Sequence, residues 1–84
     1  MTTTAQNGAA LELGERARLA RRLPSPALRR AIRLEAGLST VQLGRAMGVT
    51  RQAVSQWETG TRTPRGDHLI AYVAVLDELR RVVA

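Results

Sequence analysis

The chain has no cysteine and no lysine, and nowhere do His, Asp and Glu cluster at metal-ligand spacing. Neither a disulfide nor a structural metal can therefore staple the fold, and the apolar core has to hold it alone. No apolar run approaches the roughly eighteen residues a membrane span needs, and no charged segment followed by an apolar block opens the chain. A soluble, intracellular protein is the expectation. No nucleophile stands with a base, no carboxylates pair, and no glycine-rich loop could cradle a phosphate, so the reading is not an enzyme and needs no cofactor.

What is present is a small, strongly basic chain. Eighty-four residues with 44% apolar content make one domain, and a chain this short buries only about 60–70% of its unfolded surface, so a partner subunit would help it. Thirteen Arg against seven acids give a net charge of +6 and a pI near 11.7. A polyanion is the natural partner, because a basic surface gains affinity by releasing counterions from phosphate. A solvated surface would give the same count, so functional weight has to come from position.

Residues 1–8 are polar and aperiodic and read as a disordered tail. Residues 9–23, AALELGERARLARRL, form a helical arm with Leu13, Ala17, Ala20 and Leu23 as a thin stripe; Arg16, Arg18, Arg21 and Arg22 face either solvent or phosphate. The domain proper spans residues 24–84. Ser25 as N-cap and Pro26 at the first helical position begin a helix that Gly37 ends, with Leu28 and Ile32 inward and Arg29 and Arg30 outward. Ser39 and Gln42 make a capping box for the next helix. Thr50 caps another that stops at Gly60, and Asp67 caps a long last helix over residues 67–83, with Leu69, Val73 and Leu76 inward.

Residues 40–60, TVQLGRAMGVTRQAVSQWETG, thus read as two short helices and a tight turn. At about 100° per residue, Arg51, Gln52, Ser55, Gln56 and Thr59 share one face of the second helix and Val54 and Trp57 the other. Gly44 and Gly48 permit a narrow crossing and a sharp bend, and Leu43, Met47, Val49, Val54 and Trp57 fall where the two helices must bury their backs. The lone His68 is given no role.

Over GLSTVQLGRAMGVTRQAVSQWETGTRTP the sequence resembles the Cro/cI-type helix-turn-helix family of phage and bacterial repressors. The resemblance runs from about residue 26 to 76. It implies an all-α, lambda-repressor-like bundle of four to five helices, here in the bacterial cytoplasm with the nucleoid, binding double-stranded DNA with the second helix of the motif in the major groove. Arg51, Gln52, Ser55 and Gln56 then match the base readers, which suits the bidentate pairing of Arg with guanine and Gln with adenine. Thr40 and Thr50, at helix N-termini, and Arg62 and Arg65, in the loop that follows, are the candidate phosphate contacts. The family also implies an ion pair between Arg33 and Glu58.

Where many relatives break into two short helices, this chain runs on as HLIAYVAVLDELRRVVA. Tyr72, Val75, Leu79, Val82 and Val83 exceed one core stripe and are candidates for a homodimer surface, which would set two reading helices about 34 Å apart on a near-palindromic operator. A small repressor is the leading reading. A protein-binding module such as a DNA-binding antitoxin, or a recombination or architectural accessory, is the alternative.

Overall fold

Five helices follow one another through residues 3–83, the part that the computed structural model describes, and no strand occurs among those residues. They are α1 (Thr3–Arg22), α2 (Pro26–Glu35), α3 (Thr40–Met47), α4 (Arg51–Thr59) and α5 (Gly66–Val83). The fold is all-α. Helix α4 packs against α2 and α3, α5 packs against α2 and more lightly against α3, and α1 lies chiefly along α5.

The short helices are cut by their caps. Ser25 Oγ accepts from Leu28 N, with Pro26 at the first helical position. At the next start, Ser39 Oγ accepts from Gln42 N at 3.0 Å while Gln42 Oε1 accepts from Ser39 N at 2.8 Å. Each bond satisfies a donor that a helix N-terminus leaves open. Gly48 and Gly60 end α3 and α4 with φ of 70° and 79°, a left-handed conformation that glycine adopts without a Cβ penalty.

Ile32, Leu43, Val54, Trp57, Tyr72 and Leu76 form the buried core. Trp57 and Tyr72 meet at its centre, ring centroids 4.8 Å apart and tilted by 43°. Of the five motif positions expected to hold the angle, Leu43, Val54 and Trp57 are buried, and Met47 and Val49 are half-buried against them.

Five features depart from the sequence expectations, one being that Asp67, expected as the N-cap of α5, lies inside that helix, which begins at Gly66. Helix α1 begins at Thr3, inside the tail expected over residues 1–8; Met1 and Thr2 lie outside the described residues. Once its far end is docked, a helix propagates backwards at one hydrogen bond per residue fixed, and no proline stops it. The docking face of α1 is also shifted: Leu19 is half-buried, while Ala17 and Ala20 are exposed and Leu13 is 67% exposed; of the expected stripe only Leu23, just past the helix, packs against the core.

Tyr72, expected on a dimer surface, has no exposure at all. It lies three residues after Leu69 and four before Leu76, so the inward stripe of α5 is wide enough to include it. Val75 and Leu79 are half-buried against the core as well, which leaves Val82 and Val83 as the exposed part of that candidate surface. Finally, Arg29 is buried and Leu28 is 40% exposed, the reverse of the expectation, because Arg29, Ile32 and Arg33 share the inner face of α2 at helical spacing.

Candidate nucleic-acid interface

The motif is held at its crossing by close backbone contact. A Cβ added at Gly44 would lie 2.8 Å from the Val49 carbonyl oxygen and 3.3 Å from Arg51 N. Only hydrogen fits there. With Val49 N donating to Gly44 O at 2.8 Å, the turn is locked against α3 and delivers the chain to Thr50. Thr50 Oγ1 then accepts from Ala53 N at 3.1 Å and starts α4.

From that start α4 presents two different faces. Val54, Trp57 and Glu58 are buried, whereas Arg51, Gln52, Ser55 and Thr59 are exposed. Gln56 is half-buried at the edge of the exposed face. It lines a groove between α4 and the loop 61–65, together with Arg62, Arg65 and His68. The candidate readers therefore lie on a single side of one helix, with Gln56 at its margin.

Of the candidate phosphate contacts, Arg62 and Arg65 line the groove beside Gln56, and Thr40 and Thr50 stand at helix starts. Thr50 is exposed at the α4 N-terminus, and Thr40 is half-buried at the first position of α3. Helix N-termini present unpaired N–H groups to an anion, and a flanking hydroxyl adds a further donor. Arg62 and Arg65 are exposed in the loop, which is tied back to α4 by Arg62 N donating to Gln56 O at 3.2 Å. Among the described residues, no ion pair involves Arg51, Arg62 or Arg65. Their charge is open to an outside anion.

Behind this surface, two arginines of α2 hold the far end of α4. Arg33 makes a fork with Glu58, Nε to Oε2 at 2.6 Å and Nη2 to Oε1 at 2.9 Å, and its Nη1 donates to Leu38 O at 2.8 Å. The hydrogen bond to Glu58 raises the Arg33 pKa still further above its ordinary value, against the opposing effect of burial. Glu58 is thus buried with Arg33, off the exposed side of α4.

Arg29 is the second buried arginine of α2. Its Nη1 donates to Trp57 O at 2.9 Å and its Nε to Pro24 O at 2.7 Å, and desolvation by burial pushes its pKa down. The signal that could have found it was its spacing from Ile32 and Arg33 on one helical face. His68 is exposed, with its ring 6.0 Å from that of Trp57.

Residues 30–80 match a protein-family model described as helix-turn-helix. That span contains α3, α4, the basic loop and most of α5. No curated protein and no solved structure gave a match.

Proposed function

The chain belongs to the helix-turn-helix family of the Cro/cI type and is a DNA-binding regulator, and from that premise we propose that it reads a specific operator through α4 and acts as a repressor. The observation that carries this reading is the division of α4: Arg51, Gln52 and Ser55 exposed on one side, Val54 and Trp57 fixed in the core on the other. Arg51 pairs with guanine O6 and N7, and Gln52 with adenine N6 and N7. Ser55 and Gln56 contact neighbouring base edges. Thr40, Thr50, Arg62 and Arg65 bind the flanking phosphates and set the register of the helix in the groove. Repression follows from occupying a promoter.

The operator is near-palindromic and the protein binds it as a homodimer, with Val82 and Val83 at the exposed end of α5 in the contact. Two-fold symmetry then sets the half-sites one helical turn apart. Selecting bound duplexes from a random pool tests this: the expected product is a motif with two related half-sites. A strict monomer at micromolar concentration, both free and on that duplex, would contradict the dimer.

A second reading rests on Leu11 and Leu13, which are 68% and 67% exposed on α1. They favour a protein partner docking on α1, as an antitoxin-like module would require. Purification from the native host distinguishes the two, since only the second reading brings down a stoichiometric partner that Leu11→Ser and Leu13→Ser release.

A further inference from the structure

Helix α4 has nine residues, a length of only about 13–14 Å, so its aim depends on how its two ends are fixed. The first end is set by the Gly44 crossing and the Thr50 cap. At the other end the fork between Arg33 and Glu58 grips a side chain, which leaves the backbone of the last turn to be held by something else.

Arg29 supplies that grip. The Trp57 carbonyl is among the last four of α4, which lack partners within the helix. It is met by Arg29 Nη1 at 2.9 Å, and the guanidinium charge complements the negative end of the helix dipole. Through Nε the same planar group holds Pro24 O at 2.7 Å, in the connector between α1 and α2. Two residues on, the Pro26 ring would lie 3.2 Å from a Cβ on Gly60, so the connector also abuts the residue that ends α4.

The arrangement is costly if it serves only packing. Arg29 is 7% exposed, and among the described residues it has no carboxylate partner. A buried charge compensated by carbonyls alone is dearer than an apolar residue in the same space. What an apolar residue would not provide is a rigid fork that fixes the distance between the connector and the last turn of α4.

We propose that Arg29 is a positioning residue for base recognition, which holds the last turn of α4 through the Trp57 carbonyl and so sets the angle at which Ser55 and Gln56 meet the bases. It touches no DNA. The role rests on the DNA reading of α4 given above, and it adds a backbone grip to the side-chain grip of Arg33.

The test uses the full chain with Arg29→Met and Arg29→Lys, a duplex selected from a random pool, and an unrelated duplex, each over a series of salt concentrations. Arg29→Met is expected to lower the preference for the selected duplex by about tenfold, the size of one misplaced base contact, while the salt dependence stays as it was. Arg29→Lys retains the charge without the fork and is expected to fall between Met and wild type. If Arg29→Met does not fold, the Lys variant carries the test. Hydrogen exchange supplies a second readout: amides of the last turn of α4 lose protection in the Lys variant while those of α3 keep theirs. A folded variant with unchanged preference, or with equal losses on both duplexes, overturns the role. A wild-type chain with no preference for any duplex overturns instead the DNA reading on which the role rests.

Discussion

Arg33 and Glu58 face each other as two parallel hydrogen bonds of 2.6 and 2.9 Å, with side chains only 8% and 4% exposed. A fork in such a site fixes direction as well as distance, because both partners are planar. The pair joins α2 to the end of α4 and so fixes how the exposed side of α4 is held.

Breaking that pair from one side leaves a buried charge without its partner. Arg33→Met or Glu58→Met alone is expected to cost about 3–5 kcal/mol, whereas combining the two substitutions, which replaces both residues with apolar ones of similar volume, is expected to cost much less. Chemical denaturation of the two single variants and the double variant gives the cycle. Additive losses would show that the residues do not act as a pair.

Gly44 gives a steric prediction. Its missing Cβ is replaced by backbone atoms of the turn, which cannot move aside as a side chain would. Gly44→Ala is expected to destabilise by about 1–3 kcal/mol and to weaken binding to a selected duplex more than to an unrelated one. Thermal unfolding and a binding titration measure both. Wild-type behaviour in Gly44→Ala would mean that the crossing is looser than 2.8 Å implies.

Tyr72 predicts how stability depends on alkaline pH. Its hydroxyl is buried with no protein partner among the described residues, and burial chiefly raises its pKa from 10.0 to about 12. The folded state thus keeps the proton that the unfolded state loses first. This contribution is complete below pH 10 and is lost as pH rises towards about 12, on the order of 2–3 kcal/mol in all. No lysine, cysteine or second tyrosine titrates in that window. Tyr72→Phe is expected to flatten the decline between pH 10 and 12 and to be close to neutral at pH 7, since it removes an unpaired buried hydroxyl. Denaturant melts across the range decide it, and an equally steep decline in the Phe variant would assign the loss elsewhere.

Arg62 and Arg65 are predicted to act on phosphate alone. Arg62→Ala and Arg65→Ala should each weaken binding to all duplexes alike and lower the slope of log affinity against log salt by about 0.9. Fluorescence titrations at several salt concentrations measure the slope. A change confined to the selected duplex would make either residue a base reader.

These predictions rest on features of unequal legibility. The caps at Ser25, Ser39 and Thr50 and the left-handed glycines could be read directly, because each uses local chemistry within four residues. The division of α4 followed from periodicity. The inner faces of α2 and α5 carry a weaker signal: an arginine at a core-facing position resembles a surface residue in sequence, and Tyr72 exceeds a single row because the stripe of α5 is wider than one row. The start of α1 was hidden for another reason. Helix extension from a docked end leaves no capping signature in the sequence.

The central claim is that the exposed side of α4 reads bases, and it is tested most directly by selecting duplexes from a random pool with the wild-type chain and with Arg51→Ala and Gln52→Ala. An enriched motif is expected for the wild type, and for each variant a loss of about 1–3 kcal/mol on that motif with relaxed preference at one position and an unchanged salt slope. No enrichment by the wild type, or equal losses on every sequence, would contradict it.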